Sequence, residues 1–445
     1  MSSLNQSLQL YFMRQTLTRT VDLQKDLSLI LNNIQQNPVY SVLNSNSFFQ
    51  LQPDKYFKYD LVAGIDAIET LSVKGNSFDD LQNFHSQKND WLFGFFSYEL
   101  KDEVENLSSN NPDRLNFPPI HFFQPRYVIR VSDNKLQLDY LPDYNSESEA
   151  KLFLETLFIE STKKNQPKIA IRISAAVDKS EYLKTIKKIK EHIQRGDIYE
   201  MNYCTEFYCT NARINPVEVY ERMNSLSPMP FSALYRLNDS YALCASPERY
   251  LAKRGSKIIS QPIKGTARRG KNEDEDKFIV KSLCNDPKER AENVMIVDLV
   301  RNDLSRTAVK GTVHVEELFG ISTFRKLHQM ISTVSSELKP ELHPVDAIRT
   351  SFPMGSMTGA PKIRAMQLIE ELETAKRGLY SGSIGYIDPT GDFDFNVVIR
   401  SILYNENKSC LSFMVGSAIT INADPEKEYL ECLLKAESMQ DALSE

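Results

Sequence analysis

The sequence has no Cys-x-x-Cys pair, no two histidines at zinc-ligand spacing and no apolar run approaching the length of a membrane span. Its six cysteines, Cys204, Cys209, Cys244, Cys284, Cys410 and Cys432, are scattered through 445 residues. That pattern reads as reduced thiols of a cytosolic protein filling small apolar volumes, and it argues against a zinc hydrolase. Positive charge is not in excess. The net charge of -6 gives no bulk signal for nucleic acid or an anionic membrane, though a local basic pocket for a small anion stays open. The first residues, MSSLNQSLQLYFMRQ, lack the charged-then-apolar order of a secretory signal. Internal repeats and low-complexity tracts are also absent.

What is present is an ordinary globular composition, 41% hydrophobic and 25% charged, long enough for one large domain or two intergrown ones. VYSVLNSN (39–46) and DWLFGFFSYEL (90–100) predict strands, and a turn-rich bridge leads to a helix around Lys151–Glu160. The polar, proline-bearing stretch 161–168 predicts a boundary, giving an N-terminal region 1–167 intergrown with a catalytic domain 168–445. Beyond it, Ser180 is the expected N-cap of a helix striped by Ile186, Ile189 and Ile193 and ended by Gly196. Asp286-Pro287, Pro361 and Asp424 predict three further helix starts. LYSGSIGYI, FDFNVVIRSILY and CLSFMVGSAITI form a strand meander between the last two. Strands and helices mix without strict alternation, which predicts α+β with antiparallel sheet rather than a doubly wound parallel fold.

Several residues have chemistry-bearing positions, each with a plain alternative. Glu428, Glu431 and Lys435 share one helix face, suited to a metal and an anion but also to a solvated ion-paired surface. Glu289 and Glu292 precede the apolar run VMIVDLV, where carboxylates need a partner or a metal; Asp298 within it reads as structural, paired with Arg301. Arg400, flanked on its strand face by Val398 and Ile402, calls for an anion from protein or substrate. FPMGSMTGAPK lacks the spacing of a nucleotide phosphate loop, yet a turn into a helix can hold a carboxylate through Ser356 or Thr358, or simply cap the helix. Lys264, between Ile263 and Gly265, is either a turn lysine in water or one whose apolar surroundings strip its proton.

SPERY, PIKGTARRG, ERAENVMIVDLVRNDL, FPMGSMTGAPKIRAMQLIEELE, RGLYSGSIGYI, FNVVIRS and DPEKEYLE, together and in this order, resemble the chorismate-binding enzyme family across most of residues 168–445. VLNSN and WLFGFFSYEL extend the likeness more weakly toward the N-terminus. The resemblance implies the anthranilate synthase-like fold, a two-layered α/β complex of large antiparallel sheets with the active site between them. It implies one Mg2+ held by Glu292 and Glu431, with Glu428 a further carboxylate beside it; magnesium keeps several waters, so few protein ligands are needed. Tyr380, Arg400, Gly416 and Lys435 match residues that hold the carboxylates of chorismate, and Ser356 lines the same pocket. Glu248 matches the general acid at the C4 hydroxyl, a role that requires a carboxyl kept protonated by burial.

The resemblance also bears on the reaction. Members that form 4-amino-4-deoxychorismate read PIKGT, as here, and those that form anthranilate read PIAGT. Lys264 is therefore expected to add to C2 of chorismate while Glu248 helps the C4 hydroxyl leave, with ammonia then displacing the lysine. Glu200 in IYEMNY stands where water-adding members carry lysine. Gln329, next to His328, stands where many relatives have the histidine associated with pyruvate elimination. GSAITINAD (416–424), with Ala418 and Asn422, departs from the family's glycine-richer form. No Gly-x-Cys-x-Gly glutaminase turn is present, so a separate glutamine amidotransferase subunit is the implied ammonia source. Ser45, Pro230, Phe231 and Ser232 match the walls of a tryptophan pocket in relatives, and core packing explains them equally. Anthranilate formation and a silent regulatory relative are the alternatives; the four glutamates Glu248, Glu292, Glu428 and Glu431 count against silence.

Overall fold

A computed structural model describes residues 13–73, 75–160 and 171–444. The boundary expected at 167/168, and most of the N-terminal stretch read above, lie outside the described residues. Every ladder between the named strands is antiparallel, and the ladders link N-terminal to C-terminal segments. Val39–Asn44 pairs with Phe231–Leu237, and Leu92–Phe96 pairs with Ser383–Ile387. Leu327–Glu337 is the hub of a second region, bonded to Lys257–Gln261, Ile263–Arg268 and His314–Thr323. Cys410–Ile419 runs beside Glu200–Cys209, with Gly416 opposite Cys204.

The pleat sends alternate residues of these strands into two separate cores. Tyr40, Leu61, Ala63, Leu234 and Leu243 enter one; Val39, Val62, Ala233, Tyr235 and Ala242 enter the other. The first core is covered by the helices Leu23–Ile34, Lys179–Gln194, Pro216–Leu226 and Pro425–Leu443. The second is rich in aromatic rings, among them Phe93, Phe95, Phe96 and Phe122, and is reached by Pro287–Ser305 and Pro344–Ser351. Near-continuous burial on both faces explains why strands such as LFGFF read as unbroken apolar runs.

Two of the expected helix starts are built as the sequence suggests. Asp286 accepts from the N–H groups of Lys288 and Glu289, and Asp424 from those of Glu426 and Lys427, each followed by proline at the first helical position. Two boundaries move. Asp178, not Ser180, caps Lys179–Gln194 by accepting from Glu181 N–H, which leaves Ser180 inside the first turn. The helix expected around Lys151–Glu160 is Glu147–Thr156, because Ser146 and Glu149 form a reciprocal capping box. The strand expected through Arg400 is also interrupted. Phe393–Asn396 and Ser401–Asn405 are separate, and Arg400 sits between them at φ +51°.

Candidate active site

Lys264 lies in a bulge. The ladder between Ile263–Arg268 and Leu327–Glu337 shifts register between Ile263 and Thr266, where Gly265 adopts φ +93°. A bulge re-aims its side chains, and the positive φ suits glycine. Lys264 Nζ lies 2.6 Å from Glu200 Oε1, with side chains only 10% and 2% exposed. This corrects the expectation of an apolar setting that strips the amine of its proton. Burial alone would do so, but the charge and hydrogen bond of Glu200, with Glu292 and Glu248 beyond it, outweigh burial and raise the pKa. Lys264 rests as an ammonium.

Glu248 stands between Ser240–Ser246 and Arg249–Arg254, its backbone fixed by Ser246 Oγ at its N–H and by Val397 N–H at its carbonyl. Its side chain is buried, which pushes the carboxyl up to about 7 against the pull of Ser356 and Lys264. Ser356, in the turn Gly355–Met357, holds Asn202 Nδ2 through its carbonyl, and its buried hydroxyl faces the Glu248 carboxyl. Thr358, the other candidate in that loop, is spent on Met354 and Gly355 carbonyls.

The carboxylates expected to converge come from the helices Pro287–Ser305 and Pro425–Leu443. Lys288 Nζ lies 3.8 Å from Glu292 Oε1 and 4.0 Å from Glu428 Oε1, so one ammonium bridges the two helices. Burial lifts Glu292 to about 7, and burial followed by the charge of Glu431 raises Glu428. Glu292 Oε1 is buried and has no hydrogen-bond partner among the described residues. Glu431 instead pairs with Lys435 at 2.8 Å and is half-exposed; its charge still reaches Lys288 and Lys264. Among the described residues no three acidic, histidine or cysteine side chains are gathered tightly enough to cage a cation. Glu292 and Glu428, joined by one ammonium and not caged by further ligands among the described residues, fit a hard cation that retains its water, not a closed structural metal.

The groups expected to hold substrate carboxylates have the following partners. Lys435 Nζ donates to Gly416 O at 2.8 Å. A side chain at Gly416 would collide with Cys204 Sγ and Asn202 Oδ1, so only glycine fits against them there. Tyr380 Oη neighbours Cys204 Sγ at 3.9 Å. Arg400 has no carboxylate partner among the described residues; its Nη1 reaches Met229 Sδ at 3.8 Å, and burial pulls its pKa down to about 10. A guanidinium desolvated without an anion is incomplete without one. Gln329 faces Thr266, with Oε1 unpartnered, whereas His328 points the other way and is held by Asp276 and Thr323.

The pocket residues Ser45, Pro230, Phe231 and Ser232 are brought together elsewhere, around a cavity of about 60 Å³ that also touches Arg249. Ser232 Oγ is committed to Asn224 Oδ1 and the Cys244 carbonyl, while Ser45 Oγ is buried without a partner. Asp298 pairs with Arg301 at 2.6 Å on the exposed side of its helix, consistent with a structural reading.

Sequence reasoning missed the brace behind the cleft. Arg377 forks onto Glu373 at 2.6 Å and donates to the carbonyls of Met357 and Asn202, while Glu373 accepts from Cys204 N–H. The i, i+4 spacing in ELETAKRG was the available signal. Arg377→Met should cost about 3–5 kcal/mol, since it strands Glu373 as a buried charge; the check is the denaturant midpoint of the purified variant.

The chorismate binding enzyme family model matches residues 39–441, nearly the whole described chain. The chain belongs to the chorismate-binding enzyme family. Two relatives span most of it. An anthranilate synthase component I-like protein of Synechocystis is 34% identical over 79% of this chain and 72% of its own. Aminodeoxychorismate synthase component 1 of Bacillus subtilis is 33% identical over 84% and 80%. The fold matches the crystal structure of anthranilate synthase component I from Streptococcus pneumoniae, with TM-score 0.75, 24% identity, and coverage of 96% of this chain and 92% of that one. This member of the family is thus a chorismate-utilising enzyme with the antiparallel α+β architecture its motifs imply. Among its described residues, no helix is long and apolar enough to cross a membrane.

Proposed function

We propose that this enzyme aminates chorismate at C4, forming 4-amino-4-deoxychorismate for para-aminobenzoate and folate synthesis, with ammonia supplied by a glutamine amidotransferase subunit in the cytoplasm. The observation that carries this reading is Lys264, buried in the cleft within reach of the charges of Glu248 and Glu292. Relatives of 33–34% identity bear both anthranilate and aminodeoxychorismate names, so overall likeness does not choose between them. Component names among them support a second, ammonia-supplying subunit.

In this reading Arg400, Tyr380 and Lys435 orient the two carboxylates of chorismate. Glu292 and Glu431, with Glu428 beside them, would hold Mg2+, which when bound supplies positive charge to the ring carboxylate. Lys264 passes a proton to Glu200 and its nitrogen bonds to C2. The ring electrons shift from C1=C2 and C5=C6 to C1=C6 and C4=C5. The C4–O bond breaks, and the oxygen leaves as water with the proton of Glu248. Ammonia then adds at C4, the electrons return, and the C2–N bond breaks to release Lys264.

Product analysis decides between this reading and anthranilate formation. Purified protein with chorismate, Mg2+ and ammonium at mildly alkaline pH should give 4-amino-4-deoxychorismate, identified by mass, with no pyruvate. Stoichiometric anthranilate and pyruvate would overturn it.

A further inference from the structure

The Glu200 carboxylate has more to do than neutralise a buried amine. Its backbone is pinned between two strands, Glu200 pairing with Ala360 and lying under Gly359, where any side chain would meet Glu200 O at 2.2 Å. Its side chain therefore points into the cleft from a fixed base. Across from it, Glu292 Oε1 is buried and lacks a hydrogen-bond partner, and Lys264 is the cation that bears on Glu292 most strongly. Two lysines thus compete for the same carboxylate. Lys288 is half-exposed and can withdraw into water when another cation arrives. Lys264 cannot: its stem is enclosed, and the anions its flexible chain faces are Glu200, Glu248 and Glu292.

We propose that Glu200 is a positioning residue for the cation site: by holding Lys264 Nζ it keeps that ammonium off Glu292 and leaves the Glu292 oxygen free for a divalent cation. The proposal rests on Glu292 as a cation ligand, part of the functional reading above. It explains why an acidic side chain is useful at position 200 in a chain that also carries Lys264. Without Glu200, the carboxylates left facing Lys264 are Glu292 and Glu248, the first being the one the metal needs, and a tethered ammonium at high effective concentration competes well against a free ion.

The test is a double-mutant cycle on Mg2+ affinity, measured by calorimetry on the full chain without chorismate, so that turnover does not enter. Glu200→Ala should weaken Mg2+ binding about tenfold when Lys264 is present and by no more than about threefold in the Lys264→Ala background. Fixed charges that merely add would give equal losses in both backgrounds, as would a general loosening of the fold, and either result overturns the proposal. Glu200→Gln preserves shape and should show the same non-additivity to a smaller degree, which covers the case of an unfolded alanine variant. A wild-type chain with no measurable Mg2+ affinity overturns both this proposal and the cation reading of Glu292. Measurable affinity with an additive cycle overturns this proposal alone.

Discussion

Lys264→Ala is expected to reduce 4-amino-4-deoxychorismate formation by at least about 10³-fold, within the range set by loss of a covalent route. The fold should persist, because the residue lies at a bulge where the ladder already shifts register. Two companions sharpen the result. Lys264→Arg keeps the charge beside Glu200 but supplies no usable nucleophile, so it should fail as completely as alanine. Wild-type protein quenched in acid after mixing with chorismate and Mg2+, without ammonia, should gain the mass of chorismate less one water, and Lys264→Ala should not. Near-normal amination by Lys264→Ala would remove the covalent step and leave the family membership untouched.

Much of this site is legible in the sequence because it depends on helix starts and strand pleats. Asp286 and Asp424 fix where two helices begin, and that fixes which faces Glu292, Glu428 and Glu431 occupy. What the sequence could not supply was the pairing across elements. Glu200 and Lys264 are distant in the chain and meet only because one strand bulges at Gly265 and another is clamped beneath Gly359. The apolar neighbours of Lys264 in the chain, Ile263 and Gly265, give no sign of its anionic partner. Arg400 was misread for a related reason. Its alternation with Val398 and Ile402 resembles a strand, yet the chain turns there at positive φ, between two separate strands. Period-2 patterning cannot register a single residue that breaks the ladder. Lys288 was overlooked because KERAE reads as an ordinary helix-surface ion pair, and only the approach of the second helix gives it Glu428 as well.

Glu248→Gln should lower the rate by about 10²–10⁴-fold, the usual contribution of a positioned general acid, and it should also change the shape of the pH profile. Glu248 is held near 7 by burial, so its acid form prevails below pH 7 and is lost as pH rises. Lys264 would ordinarily impose the opposite trend, since an amine that sheds its proton to solvent becomes more reactive as pH climbs. The product of a falling acid and a rising base is level, and kcat/KM would then show a plateau above pH 7 and a fall below it. The ion pair with Glu200 removes the opposing trend. A proton moving from Lys264 Nζ to Glu200 Oε1 stays inside the pair, and its position does not depend on solvent pH until one partner titrates. At saturating Mg2+, kcat/KM of the wild type should therefore fall roughly tenfold per pH unit above about 7, and Glu248→Gln should flatten that limb. A wild-type plateau from pH 7 to 10 would mean that the amine loses its proton to water and that Glu200 is not its acceptor.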